Sequence, residues 1–212
     1  GHTEEVRDFL RWYATFQFPD GRIPCCIDRR GADRVPENDS EGEFLFTLAQ
    51  YYRYTRDVGF VYELWPAATR AADAILALRA RRSTPEYDRD ENLPMRGLLP
   101  ESISHEGYSG HPVHAYWDDF FALRGLGDAV LLARVVGDAT NEQRWRTEHA
   151  DFRSDLYASI ALVMQRKKLT YLPASADLGD FDATSSAAAV NPVGELANLP
   201  PTALAATFDQ YL

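Results

Sequence analysis

Two adjacent carboxylates, Asp118 and Asp119, stand between aromatic pairs in residues 116–126, a stretch that otherwise has the composition of a buried helix. A positioned carboxyl group can act as a general acid or base. Acidic residues are also favoured in the first turn of a helix by the helix dipole alone. Because neighbouring residues on a helix project about 100° apart, at most one of the pair would face a reacting bond. We take both as candidate catalytic residues.

Further polar and aromatic side chains that could contact a ligand lie in three long loops, residues 22–43, 97–119 and 173–200. Each loop leads into a segment that is apolar or rich in small residues. The candidate ligand-binding residues are Asp39, Glu41, Glu101, His114, Tyr116, Trp117 and Asp180.

Several acidic residues in these loops also have a structural explanation. Ser40 and Glu43 match the S-x-x-E capping box, in which Glu43 would bond back to the Ser40 backbone. Asp182 fits a turn in which the side chain bonds its own backbone two residues on, whereas Asp180 fits ligand contact better. Glu101 could equally be a surface charge.

Three histidines close to Glu106 raise the question of a metal. These are His105, His111 and His114, but Pro112 makes a regular helical pair of His111 and His114 doubtful. We therefore expect no metal and no cofactor, and a histidine that hydrogen-bonds a substrate or a neighbouring loop.

Composition excludes some classes of partner. Acidic residues outnumber basic ones, 32 to 22, giving a formal charge of -10, which argues against nucleic acid. No apolar stretch approaches the ~20 residues that span a bilayer, so we expect no membrane partner. Cys25 and Cys26 are sequence neighbours and cannot form an ordinary disulfide or a CxxC metal site.

The elements that would position these residues follow a repeated plan. Turns that end in an apolar residue and proline recur at residues 20–24, 96–100 and 169–173, with the prolines 76 and 73 residues apart. After a polar loop comes a helix that is apolar nearly all round, then a one-sided amphipathic helix. The predicted helices are residues 3–18, 40–57, 60–82, 116–138, 141–168 and one beginning at residues 200–201.

This alternation predicts an all-α fold of inner and outer helices in one domain, residues 1–212, arranged as layered helical hairpins. No segment has a convincing strand pattern. The first two inner helices both close on R-x-x-x-D, so Asp57 and Asp138 are expected to cap the outer helices that follow. Each of those carries an early tryptophan, Trp65 or Trp145.

Five runs in the chain resemble the six-hairpin glycosidases, whose fold is the (α/α)6 toroid and which include glucoamylase-like and rhamnosidase-like enzymes. The runs are GEFLFTLAQYYRYTRD, FVYELWPAATRAADAIL, GLLPES, AYWDDFFALRGLGDAVLLARVVGD and LGDFDATSSAAAVNP. Arg56 stands where the family usually has glycine. The resemblance implies a glycoside hydrolase whose pocket is lined by the loops before the inner helices, with a carbohydrate substrate.

Trp117-Asp118-Asp119 resembles the Trp-Glu-Glu segment of glucoamylase-like enzymes, which implies that Asp118 is the general acid, on a shorter side chain. Six predicted helices make three hairpins, about half a toroid. We expect a fragment of a longer enzyme, or a homodimer that completes the ring, and no activity from the half alone. Gly1-His2, which resembles a tag remnant, favours the fragment. The alternative is a non-catalytic carbohydrate-binding or self-assembling helical module.

Overall fold

The computed structural model describes residues 1–103 and 108–211, apart from the side chain of Ser109. The described chain is mostly helical, which confirms the all-α class. Its helices are α1 (Thr3–Ala14), α2 (Ser40–Thr55), α3 (Val58–Ala80), α4 (Tyr116–Val136), α5 (Ala139–Lys167), α6 (Ala183–Val190) and α7 (Pro201–Tyr211).

Helix α1 ends at Ala14, four residues before the predicted end, and two elements were not predicted. Helix α6 forms in the small-residue run after Asp182, whose carboxylate accepts hydrogen bonds from Thr184 N and Ser185 N, both at 2.9 Å. Alanine supplies the helix propensity there, but eight residues are too few to show an apolar period. A short antiparallel hairpin pairs β1 (Ile27–Asp28) with β2 (Gly31–Ala32). With two residues a strand, it leaves no alternating pattern to detect.

Helices α2 and α4 form the centre of the described chain. Helix α4 packs against α2, α3, α5 and α6, and α2 packs against α1, α3 and α4. Their backbones come unusually close: a Cβ on Gly42 would overlap the Phe121 carbonyl, and one on Gly125 would lie 2.5 Å from the Gly42 Cα. A helix surrounded on several sides needs apolar residues on several faces, as the sequence predicted.

The amphipathic helices α3 and α5 flank this centre and touch each other through side chains. The rings of Trp65 and Trp145 meet edge to face, with centroids 5.6 Å apart. Arg79 of α3 reaches Asp155 of α5 at 2.8 Å. In the described part of the chain, α3 and α5 thus contact each other as well as α4. None of the helices within residues 1–103 and 108–211 is both long and apolar enough to cross a bilayer.

The predicted caps of α3 and α5 are confirmed. Asp57 accepts from Phe60 N at 2.9 Å and Asp138 accepts from Asn141 N at 3.0 Å. The capping box is wrong, because α2 already includes Ser40 and the residue before it is Asp39, whose side chain makes no cap bond. The Ser40 hydroxyl instead donates to Asp39 Oδ1 at 3.2 Å.

Candidate functional site

The loops that precede α2, α4 and α6 are tied to one another by backbone and side-chain hydrogen bonds. Asn38 Nδ2 donates to the Pro100 carbonyl at 2.9 Å, joining the first loop to the second. Tyr116 N donates to the Ala174 carbonyl at 2.9 Å, joining the second to the third. These bonds bring the predicted polar residues of all three loops to one end of the helices.

Asp39 and Trp117 are the predicted residues that the fold joins most directly. The Trp117 indole Nε1 donates to Asp39 Oδ2 at 2.9 Å, and Asp39 is 5% exposed. The Trp117 ring packs against Phe121, with centroids 4.9 Å apart. A carboxylate from the first loop is thus held against an aromatic ring from the second, directly beside Asp118 in the chain.

Asp118 and Asp119 are both fully buried in the first turn of α4. Asp119 Oδ1 accepts from Leu99 N at 2.9 Å, and its Oδ2 has no hydrogen-bond partner among the described residues. Burial raises the pKa of Asp119 to about 7, against the opposing charge of Arg79. This geometry favours a structural role for Asp119. Catalysis by Asp118 stays a prediction.

Glu41 has the same geometry at the start of α2. Its Oε1 accepts from Ile23 N at 2.9 Å, and its Oε2 is buried with no hydrogen-bond partner in the described part of the chain. Burial raises the pKa of Glu41 to about 7. The contact holds the turn before Pro24 instead of facing the loops, so the geometry favours a structural role here too.

A third side chain accepts the equivalent backbone N–H in the third recurring turn. Thr207 Oγ1 of α7 accepts from Leu172 N at 2.9 Å, directly before Pro173. We call these three contacts, at Ile23, Leu99 and Leu172, the turn clamps. Sequence reasoning missed them, although a signal existed. In each recurring turn the apolar residue before the proline carries a backbone N–H, and such a group needs a hydrogen-bond acceptor once it is buried.

His114 lies in a buried polar network between the second and third loops. Its Nδ1 is 3.1 Å from Asp177 Oδ2, and Arg82 Nε donates to its Nε2 at 2.9 Å. Because an arginine nitrogen can only donate, Nε2 must accept and Nδ1 carries the proton. Arg82 also pairs with Glu101. His114 therefore ties loops together, as the sequence analysis allowed, and Arg82 is a member that it did not foresee.

The histidines that could hold a metal are separated in the structure. His111 is exposed, and the His114 ring is engaged by Asp177 and Arg82, while His105 and Glu106 lie outside the described residues. In residues 1–103 and 108–211, no group of three or more His, Cys, Asp or Glu side chains is arranged to hold a metal ion.

The remaining predicted residues divide between loop and core. Asp180 accepts from the Tyr108 hydroxyl at 2.5 Å and from the Ser175 hydroxyl at 2.6 Å, so it lies within the joined loops. The Tyr116 ring is fully buried, and its hydroxyl is 2.7 Å from that of Ser159 on α5. Tyr116 thus belongs to the core, not the loop surface. Asp182 caps α6, as its turn interpretation anticipated.

The chain matches no protein-family model and no curated protein in comparisons with known proteins. What the site can do chemically therefore follows from its own residues. Two of its carboxylates, those of Asp39 and Asp180, lie in the joined loops with the aromatic side chains of Trp117 and Tyr108. Such a set can bind hydroxyl-rich ligands and can exchange protons with them.

Proposed function

We propose that the joined loops form the carbohydrate site of a six-hairpin type of glycoside hydrolase. Asp118 serves as the general acid, and Asp39 is the carboxylate that faces the sugar with it. In this proposal the helices are about half of an α/α toroid, so turnover needs further hairpins from another segment or a second copy. The observation that carries this proposal is the bond between Trp117 and Asp39 beside Asp118.

The chemistry of the proposed reaction requires this combination of groups. One carboxylic acid protonates the leaving oxygen, and a second carboxylate activates water or attacks the sugar. An aromatic face stacks on the apolar face of a sugar ring, and Trp117 is the partly exposed aromatic residue next to both carboxylates. Asp119 and Glu41 take no part in the proposed chemistry, because each holds a backbone N–H in the core.

The experiment measures binding, since half a ring is not expected to turn over. Iminosugars of gluco, manno and rhamno configuration carry a positive charge where the oxocarbenium-like transition state develops it. Calorimetric titration with each, and with the matching neutral sugar, should show the iminosugar binding about tenfold or more tightly, as transition-state mimicry predicts.

Variants connect the binding to the proposed residues. Asp39→Asn and Asp118→Asn should each lose the preference for the charged ligand, while Asp209→Asn on the exposed face of α7 should keep it. The function would be contradicted if no configuration bound, or if both loop variants bound as the wild-type protein does.

A specific observation favours the second candidate, a non-catalytic module that binds carbohydrate or assembles with itself. Phe9 and Trp12 on α1 are 46% and 49% exposed, with ring centroids 6.1 Å apart. Large apolar side chains grouped at a surface commonly mark an interaction site. Equal binding of neutral and charged sugars would support the binding module, and a mass in solution of two chains would support assembly.

A further inference from the structure

A cavity distinct from the Trp117 and Asp39 pair lies between α1, α2 and the start of the loop that precedes α2, and has a volume of about 330 Å³. That volume is in the range of small-molecule sites. The rings of Phe9, Trp12 and Tyr13 line it on the α1 side, and Glu43 lines it on the α2 side. Phe9 and Tyr13 stack with centroids 5.1 Å apart, so the aromatic wall is ordered by its own contacts.

Glu43 is the one carboxylate among the residues that line this cavity. It is half-buried, and within the described chain its carboxylate has neither a hydrogen-bond donor nor a basic ion-pair partner. Asp39 and Glu37 lie close enough to add their negative charge, and neither forms a salt bridge in the described residues. A partly desolvated, uncompensated negative charge is costly unless a cation approaches it.

We propose that this cavity binds an organic ammonium ion, with the cationic head against Glu43 and the apolar body against the aromatic wall. The charge of Glu43, reinforced by Glu37 and Asp39, attracts the head group. The faces of Phe9 and Trp12 add cation–π attraction and cover the apolar part of the ligand. The proposal does not require the carbohydrate function, because the ligand occupies a different cavity, to which Asp39 contributes only its charge.

The groups facing Glu43 set the pH dependence of binding. Burial and the charges of Asp39 and Glu37 raise the pKa of Glu43 to about 7. Burial also raises the pKa of Tyr13 and of Cys25, so both stay protonated near neutral pH. Glu43 must ionise to pair with the ligand. Affinity should therefore rise as the pH passes through about 7, and binding below that pH should release a proton.

The test uses the 2-phenylethylammonium ion and its neutral counterpart, 2-phenylethanol. Calorimetric titration of the whole chain should show the cation binding about tenfold more tightly, the size of one charge contact in a partly desolvated site. Titrations near pH 6 in two buffers with different ionisation enthalpies should reveal the released proton. Absence of cation binding, or equal affinity for the neutral alcohol, would overturn the proposal.

Two variants complete the design. Glu43→Gln should remove both the preference for the cation and the pH dependence of its binding. Trp12→Leu should lower the affinity for the cation and keep the pH dependence. In the Glu43→Gln protein the preference for the charged iminosugar should still depend on Asp118, which separates failure of this site from failure of the carbohydrate site. A Glu43→Gln protein with the wild-type melting temperature and unchanged cation affinity would show that the carboxylate has no role.

Discussion

The first hairpin, α2 with α3, and the second, α4 with α5, solve the same structural problem with different residues. In each, a carboxylate in the first turn of the inner helix accepts the backbone N–H before a turn proline: Glu41 for Ile23, and Asp119 for Leu99. In both hairpins the acid therefore serves as the hydrogen-bond acceptor for a buried backbone N–H. Their position near helix starts in polar loops is what made both of them candidate site residues in the sequence.

The third turn clamp shows that the charge itself is dispensable. There the acceptor is the hydroxyl of Thr207, which comes from α7 and cannot ionise in the physiological range. A neutral acceptor is enough for a backbone N–H. Glu41 and Asp119 can therefore accept these hydrogen bonds as neutral acids, and their burial, which raises both pKa values to about 7, makes their ionisation unfavourable.

The largest effect is expected where the two hairpins touch, at Gly42. A Cβ there would overlap the Phe121 carbonyl, and backbone cannot move aside as a side chain can. We expect Gly42→Ala to lower the free energy of unfolding by about 3 kcal/mol, the upper end of the cost of overpacking. Urea unfolding measures the loss.

Gly59→Ala, in the exposed first turn of α3, is the matched control. A Cβ there would lie 3.4 Å from Asp57 Oδ1, an ordinary contact. This variant should gain up to about 1 kcal/mol from helix propensity. If the two alanine variants had equal stability, the close approach of α2 and α4 would not be the tight contact described.

The next effect is a fall in stability with rising pH. The pKa values of Glu41 and Asp119, raised by burial to about 7, exceed their ordinary values of 4.5 and 3.8. A group with a raised pKa stabilises the fold fully below its unfolded pKa, and the stabilisation is lost as pH rises to its folded pKa. Between pH 5 and pH 8 the loss should be on the order of 2 kcal/mol for each carboxyl.

The double variant Glu41→Gln with Asp119→Asn isolates this contribution. The amide oxygens can still accept the two N–H groups but cannot ionise, so the variant should lose less stability than the wild-type protein over the same pH range. His149 acts in the opposite sense, because burial lowers its pKa to about 4, but it is common to both proteins. If the stability of the wild-type protein and of the double variant changed in parallel with pH, ionisation of Glu41 and Asp119 would not be the cause of the loss.

The turn clamps also mark the limit of sequence reasoning. Patterns carried by many residues predicted the long helices, and patterns of adjacent residues predicted the Asp57 and Asp138 caps. The clamps join residues about twenty or more positions apart, and nothing local identifies the partner. The same holds for the carboxylates of the candidate site: Asp39 and Asp119 are both buried, and only their partners in the folded chain, the Trp117 indole for Asp39 and Leu99 N for Asp119, distinguish them.

A smaller effect is expected at the third turn clamp, where the acceptor is the hydroxyl of Thr207. Thr207→Val keeps the shape of the side chain and leaves the N–H of Leu172 buried without its acceptor. The expected loss is about 1 to 2 kcal/mol, the cost of an unmade buried hydrogen bond, with no change in pH dependence. Thr207→Ser keeps the hydroxyl and should recover part of the loss. Equal stability of the valine and serine variants would show that the hydroxyl is not needed.

The smallest effect concerns the ends of the inner helices, where the hairpins differ in residue but not in conformation. Arg56 after α2 and Gly137 after α4 are both left-handed, with φ of 58° and 76°. A non-glycine residue is strained there. The Arg56 side chain also lies 5.6 Å from the centre of the Tyr52 ring, so removing it changes two interactions at once.

Comparing Arg56→Gly with Arg56→Ala isolates the backbone, because both variants lose the contact with Tyr52. We expect the glycine variant to be more stable than the alanine variant by about 1 kcal/mol. Gly137→Ala should lose a similar amount at the equivalent position of the second hairpin. Thermal unfolding of the three variants would reveal the difference. If alanine and glycine were equivalent at position 56 but not at 137, the two helix ends would not share the conformation that makes the hairpins comparable.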